Sequence, residues 1–68
     1  MCMYKFGQTL EHDEDFLDHK EKQIPVQVYF LSRHVDIGFI EWYSRDFVKM
    51  NGLYYSRKWF RFVSRPGY

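Results

Sequence analysis

The chain's clearest structural signal is the pair Asn51-Gly52, which lies between two short apolar runs. A two-residue type I′ turn requires positive φ at both central residues, and the Asn-Gly sequence tolerates that geometry. The pair therefore predicts a β-hairpin in which Met50 faces Leu53 and Val48 faces Tyr55. Because side chains alternate along a strand, we expect these four residues to face the core and the opposite face to be aromatic and basic.

The length of the chain, 68 residues, predicts a single small domain spanning residues 1–68. A chain of this length buries about 60% of the surface that its unfolded form exposes, so its apolar residues must be used densely. Aromatic residues make up 22% of the chain and can supply the core, because each ring buries about 150 to 250 Å². No apolar run approaches the roughly 18 residues of a membrane-spanning helix, and we expect no membrane partner.

Cysteine usage bears on the compartment in which the protein folds. The chain has one cysteine, Cys2, whereas small secreted domains usually depend on several disulfides. We therefore expect a cytoplasmic protein. A single cysteine also excludes an internal disulfide and a cysteine-based zinc site.

Charge is divided unevenly along the chain, although its net value is only +1. Residues 1–22 carry six carboxylates and three lysines, a balance of −3, whereas residues 41–68 carry six basic side chains and two carboxylates, a balance of +4. One hypothesis is that the acidic segment 11–21 folds over the basic half and masks it. The same segment could instead present its carboxylates to a basic site on another protein.

Periodicity and turn residues divide the remaining chain into short elements. Residues 10–22 have acidic side chains early and lysines late, the charge order that suits a helix, and Thr9 is a suitable N-cap. Pro25 ends this helix, because the residue before a proline is pushed towards extended geometry. Besides the hairpin, the predicted strands are residues 3–8, 26–31, 37–43 and 59–63, with turns at 33–36, 44–46, 57–58 and 65–68.

These elements predict a mainly β (α+β) fold, with residues 24–64 as a β meander and residues 1–22 as an acidic, partly helical segment. We expect a small antiparallel sheet, or an SH3-like or OB-like barrel, of four to six strands with one short N-terminal helix. An open, curled meander covered on one face by the helix is the alternative. The predicted core consists of Val26, Val28, Phe30, Ile40, Val48, Met50, Leu53, Tyr55, Phe60 and Phe62.

The candidate binding site lies on the outer side of the hairpin and the last strand. Flat rings combined with cations are typical of surfaces that bind proteins or single-stranded nucleic acids. The alternative is structural, since in so short a chain the same rings could complete the core. The predicted site residues are Lys49, Tyr54, Arg57, Trp59 and Arg61, with Arg45 in support.

A metal site is a weaker candidate. His12, Asp15 and His19 follow the spacing i, i+3 and i+7, which brings them to one face of a helix. Histidine and aspartate on an exposed acidic helix are ordinary, however, and a fourth ligand is not identifiable. We therefore interpret these residues as a solvated face and predict no bound metal or other cofactor.

Catalysis has little support in the sequence, which contains no glycine-rich phosphate loop, nucleophile elbow or metal-ligand motif. The composition favours a non-catalytic binding module instead. We expect a regulator or inhibitor that binds a larger protein, or one subunit of a homodimer. The alternative is a small β-barrel that binds single-stranded DNA or RNA, or the backbone of a duplex. Protein association comes first, because the net charge of +1 is small while the aromatic content of 22% is high.

Overall fold

A computed structural model describes residues 3–68 of the chain, so Cys2 lies outside the described residues. The elements, in chain order, are α1 (Asp13–Glu21), β1 (Val26–Phe30), β2 (Arg33–Gly38), β3 (Ile40–Tyr43), β4 (Phe47–Met50), β5 (Leu53–Ser56) and β6 (Phe60–Ser64). The strands form two antiparallel sheets, sheet A with the order β2-β1-β6 and sheet B with the order β3-β4-β5. The predicted fold class, mainly β with one short helix near the N-terminus, is confirmed. Within residues 3–68, no helix is long and apolar enough to cross a membrane.

Strands β4 and β5 form the predicted hairpin in the predicted register. Met50 pairs with Leu53, and Val48 pairs with Tyr55. The central residues of the turn have positive φ, 51° at Asn51 and 77° at Gly52, as a type I′ turn requires. The prediction that Leu53 is a core residue is wrong, since its side chain is 57% exposed. Its partner in the last pair before the turn, Met50, lies on the central strand β4 and is fully buried, whereas Leu53 lies on the edge strand β5.

The tip of this hairpin is held against β2 of the other sheet. The side-chain amide of Asn51 donates hydrogen bonds to the Asp36 carboxylate at 2.9 Å and to the Ile37 carbonyl at 3.0 Å. Glycine at position 38 makes this approach possible, because a Cβ there would lie 2.9 Å from the Asn51 amide nitrogen. Asn51 therefore forms the turn and also connects the two sheets.

One core is shared by both sheets and the helix. Its buried members are Leu10, Phe16, Val26, Val28, Ile40, Val48, Met50, Tyr55 and Phe62, with Tyr43 and Phe60 partly buried against them. Seven of the buried members were predicted as core, Val26, Val28, Ile40, Val48, Met50, Tyr55 and Phe62, and Phe60, also predicted there, is partly buried. Phe30 was also predicted there, but it is 41% exposed because it is the last residue of β1.

The N-terminal segment departs from the predicted elements. Residues 3–8 form turns instead of a strand, and α1 begins at Asp13, well after the predicted N-cap Thr9. Thr9 instead forms an isolated β-bridge with Val63. The Asp15 carboxylate accepts hydrogen bonds from the backbone N–H of Glu11 at 2.9 Å and of His12 at 3.0 Å, which satisfies donors at the start of the helix.

The connection between β1 and β3 was also predicted incorrectly. The turn was expected at residues 33–36 but lies at residues 31–32, and β2 begins directly after it at Arg33. Leu31 adopts a φ of 57°. Leucine rarely has positive φ, so this residue type does not indicate such a turn in a sequence. The strand expected over residues 37–43 is divided at Phe39, where the chain passes from sheet A to sheet B.

Candidate functional site on two sheet faces

Aromatic side chains surround one lysine on the outer face of sheet B. Trp42 of β3 pairs with Lys49 of β4, which pairs in turn with Tyr54 of β5. The Trp42 and Tyr54 rings meet at a centroid distance of 5.8 Å, with their planes at 77°. The Lys49 ammonium group lies 5.5 Å from the centre of the Tyr54 ring, within cation–π range. Lys49 is thus placed between two strands that both carry an outward-facing ring.

Phe47 completes this surface, because it lies two residues before Lys49 on the same face of β4. Its side chain is 45% exposed, that of Trp42 46% and that of Tyr54 61%. The alternate residues of β4, Val48 and Met50, are fully buried. We call the outer surface formed by Trp42, Phe47, Lys49 and Tyr54 the Trp42 face.

Trp42 was absent from the predicted site, and a β-bulge explains why. The pairing of β3 with β4 shifts between Ile40 and Trp42, which leaves Glu41 as the extra residue. The shift places Trp42 opposite Lys49 on the outer face, although Ile40, two residues earlier, is buried. The Glu41 carboxylate accepts a hydrogen bond from the Gly52 backbone N–H at 3.0 Å. Simple alternation, which puts Ile40 and Trp42 on one face, could not reveal this arrangement.

Arg57, a predicted site residue, is engaged inside the molecule. Its guanidinium group donates hydrogen bonds to the Asp13 carboxylate at 2.7 Å and to the Ser44 carbonyl at 2.6 Å. The guanidinium carbon also lies 4.2 Å from the centre of the Phe16 ring, and the Arg57 side chain is only 13% exposed. Arg57 therefore joins α1 to the turn between β3 and β4.

Arg45 and Trp59 lie in the two turns at one end of sheet B. The turns are joined by a hydrogen bond of 2.8 Å from the Arg57 backbone N–H to the Asp46 carbonyl. The Arg45 side chain is 88% exposed and Trp59 is 65% exposed. Phe47 follows the first of these turns directly and pairs with Ser56, so both turns lie at the Phe47 end of sheet B.

Arg61 is not on the same surface as Lys49 and Tyr54. It belongs to β6 of sheet A, pairs with Tyr29, and places its guanidinium carbon 5.2 Å from the centre of the Tyr29 ring. Because the inner faces of both sheets cover the shared core, their outer faces are separate surfaces. The single surface expected from the sequence is therefore divided, since β5 and β6 are consecutive in the chain but lie in different sheets.

His19 of the candidate metal set is fully buried, so the expectation of a solvated position is wrong for this residue. Its Nδ1 lies 2.6 Å from the Asp15 carbonyl oxygen and its Nε2 lies 2.7 Å from the Ser64 hydroxyl. A carbonyl can only accept, so Nδ1 carries the proton and Nε2 accepts from the hydroxyl in the neutral ring. Among residues 3–68, no three potential metal ligands lie together.

A second polar contact, which is partly buried, joins β5 to β2. The Tyr55 hydroxyl donates a hydrogen bond of 2.7 Å to the Asp36 carboxylate. Burial, together with this carboxylate, raises the pKa of Tyr55 to about 12. Burial alone would raise the pKa of Asp36, but hydrogen bonds from Tyr55, Asn51 and the Ile37 backbone lower it below its ordinary value. The Tyr55–Asp36 contact that accompanies these pKa shifts lies between the sheets, away from the outer face of each sheet.

The described part of the chain forms no pocket, so the candidate sites on it are open sheet faces. Lys49 and Tyr54 lie on the Trp42 face. Arg45 and Trp59 lie in the turns at one end of sheet B, Arg57 is internal, and Arg61 lies on the outer face of sheet A. Comparisons of the chain with protein-family models, with curated proteins and with solved structures gave no match.

Proposed function

We propose that this protein is a non-catalytic binding module that regulates or inhibits a protein partner through its Trp42 face. The supporting observation is the group of three large aromatic side chains, each 45% exposed or more, on one face of sheet B. Small soluble domains rarely expose a continuous apolar patch without a use for it. Aromatic residues of this kind are enriched among the side chains that dominate binding energy at protein interfaces.

The chemistry of the face indicates what kind of partner it fits. Lys49 is the charged side chain of the row that runs from Trp42 to Tyr54. It lies 5.5 Å from the centre of the Tyr54 ring and takes part in none of the ion pairs found in residues 3–68. A partner that covers the rings with apolar side chains would leave the lysine unpaired unless it also supplied an acidic group. The face therefore suits a protein surface with an apolar centre and a neighbouring aspartate or glutamate. The single cysteine of the chain favours a cytoplasmic location for this association.

The test begins with photo-crosslinking from position 47, using a photoreactive phenylalanine analogue in place of Phe47. Proteins captured from host lysate are identified, purified and titrated against the wild-type chain. The proposal expects Trp42→Ala or Tyr54→Ala to weaken binding of the captured protein by about 30-fold, the effect of removing a typical interface hot spot.

Arg61→Gln is the matched control, because it removes the contact between an exposed arginine and the Tyr29 ring on sheet A. Binding that falls with Trp42→Ala but not with Arg61→Gln supports the proposal. Equal effects of both substitutions, or no captured protein whose affinity depends on Trp42, would overturn it. Sedimentation of the purified chain completes the experiment, since a dimer that dissociates with Trp42→Ala would identify a second copy as the partner and exclude a separate one.

A further inference from the structure

The outer face of sheet A holds a cluster of cations around one tyrosine. Tyr29 lies in the central strand, with His34 beside it on β2 and Arg61 beside it on β6. The His34 and Tyr29 rings meet at a centroid distance of 6.1 Å, and the Arg61 guanidinium carbon lies 5.2 Å from the Tyr29 ring centre. Arg65 donates to the Tyr29 hydroxyl at 3.0 Å and to the Gln27 side-chain carbonyl at 2.6 Å. We call the surface formed by these five residues the Tyr29 face.

No carboxylate balances these cations within the described residues. Strands β1 and β6 contain no aspartate or glutamate. The one carboxylate of β2, that of Asp36, lies on the other side of the sheet, where it accepts a hydrogen bond from the Tyr55 hydroxyl. The ion pairs found in residues 3–68 use other cations, so neither Arg61 nor Arg65 is paired with a carboxylate there. Two guanidinium groups around one ring form a local positive potential that attracts anions.

The cations are bordered by exposed rings. The Arg65 guanidinium carbon lies 4.7 Å from the centre of the Phe6 ring, and Phe6 is 60% exposed. Tyr68 is 73% exposed, and its ring centroid is 6.2 Å from that of Phe6. A ligand that bridges the arginines would therefore meet flat aromatic surface on the side of Phe6.

We propose that the Tyr29 face binds single-stranded nucleic acid, separately from the protein partner of the Trp42 face. Arg61 and Arg65 pair with successive phosphates, and the rings of Phe6 and Tyr29 stack on bases. A single strand offers phosphates at short, regular intervals together with flat bases. An acidic peptide differs, because its side chains offer carboxylates but no rings that can stack. Such platforms of aromatic and basic residues on a sheet are a general solution for binding single strands.

The small number of cations sets the expected strength of binding. Contacts to two or three phosphates of a single strand correspond to a slope of about −1.4 to −2 in a plot of log K against log salt concentration. This slope is shallower than the slopes of large basic domains, as expected for a chain whose net charge is +1. The attraction comes from the local cluster and not from the charge of the whole chain.

The test is a fluorescence-anisotropy titration of the full chain into labelled single strands of about 10 nucleotides, at about 50 mM and about 200 mM salt. Arg61→Gln is expected to weaken binding about 10-fold, the loss of one charge-assisted contact. Lys49→Gln is the matched control, since it removes the same charge beside a tyrosine on the opposite sheet and should leave binding unchanged. Trp42→Ala should also leave it unchanged, which separates this site from the Trp42 face.

Three results would overturn the proposal. The first is no binding at the lower salt concentration by protein whose amide spectrum shows it to be folded. The second is an equal loss with Lys49→Gln and Arg61→Gln, which would indicate unspecific attraction to the whole chain. The third is displacement of the oligonucleotide by a poly-glutamate peptide of equal charge at lower concentration, which would assign the face to an acidic protein.

Discussion

His19 is a buried side chain whose protonation state is tied to folding. Its neutral ring donates from Nδ1 to the Asp15 carbonyl and accepts at Nε2 from the Ser64 hydroxyl. Burial lowers the pKa of His19 below its usual value of 6.5, in spite of the opposing effects of the Asp15 carbonyl and the Asp15 and Asp18 carboxylates. A protonated ring could no longer accept from Ser64, so protonation opposes the folded state.

The free energy of unfolding is therefore expected to fall as the pH drops from about 7 to about 5. As the pH falls through the unfolded pKa near 6.5, the unfolded chain binds more proton at His19 than the folded chain does, and the slope is at most about 1.4 kcal/mol per pH unit. Urea denaturation at several pH values measures this slope. His19→Gln should be less stable at pH 7 but should lose the pH dependence.

Exposed histidines provide the control for this prediction. His12 and His34 are both exposed, and His12→Gln and His34→Gln should keep the wild-type pH dependence. A His19→Gln variant that loses stability between pH 7 and pH 5 as steeply as the wild type would contradict the assignment. The carboxylates with lowered pKa, Asp15 and Asp36, lose their stabilising effect only at lower pH, as they become protonated.

Individual residues show where sequence reasoning succeeds and where it fails. Asn51-Gly52 was predictable because its backbone preference is local and strong. Leu31 was not, because the hairpin turn between β1 and β2 imposes positive φ on a residue that disfavours it. Trp42 was missed for a different reason, since the bulge at Glu41 depends on how β3 pairs with β4. Local chemistry was readable from the sequence, whereas features imposed by packing were not.

Helix α1 is held in place by packing and not by its own helical tendency. It has nine residues, fewer than an isolated helix needs in water. Phe16 is its main apolar anchor, 2% exposed, with its ring centre 5.5 Å from that of Phe62. The Arg57 guanidinium group covers the same ring at 4.2 Å.

Phe16→Ala is expected to cost about 3 to 5 kcal/mol of unfolding free energy, because it leaves a cavity in the shared core. Leu17→Ala, one position along the same helix, should change stability by about 0.5 kcal/mol or less, since Leu17 is 42% exposed. Urea denaturation followed by tryptophan fluorescence compares the two variants. If Phe16→Ala leaves no folded protein to measure, Phe16→Leu gives the same ranking with a smaller loss. Equal costs at both positions would show that α1 is not anchored through Phe16.

Among residues 3–68, one ion pair joins the acidic helix to the basic half of the chain. The Asp13 carboxylate receives the Arg57 guanidinium group at 2.7 Å. The helix contributes Phe16 and His19 to the interior, so its removal would disrupt the fold before it could expose a masked surface. The division of charge between the two ends of the sequence was readable, but the integral position of the helix was not, because residues 10–22 contain few large apolar side chains.

At the scale of the whole molecule, the division into two sheets determines the binding surfaces. Sequence reasoning placed the candidate site among basic and aromatic residues of the C-terminal half, which stays a prediction. It treated β5 and β6 as neighbours because they are consecutive in the chain. The turn at residues 57–59 instead leads from one sheet to the other, so that Arg61 joins Tyr29 and Arg65 while Lys49 joins Trp42. Which strands are hydrogen-bonded neighbours is a non-local property that alternation patterns do not contain.

The same division raises the question whether the two sheets unfold separately. The central strands are β1 in sheet A and β4 in sheet B, and Val28 and Val48 at their centres are fully buried in one core. Because the core is continuous, opening either sheet exposes the inner face of the other. We therefore expect the amides of β1 and β4 to exchange with solvent only through global unfolding, and at the same rate constant after correction for sequence.

Val28→Ala tests this expectation by amide hydrogen exchange. Removing two buried methyl groups costs about 2 kcal/mol, which corresponds to exchange about 30-fold faster. If the domain unfolds as one unit, the acceleration at the amides of β4 equals that at the amides of β1, although the substitution lies in the other sheet. The mirror variant Val48→Ala should accelerate β1 to the same degree. Acceleration confined to the sheet that carries the substitution would mean that the two sheets unfold independently, and the two binding faces would then be able to respond separately to their ligands.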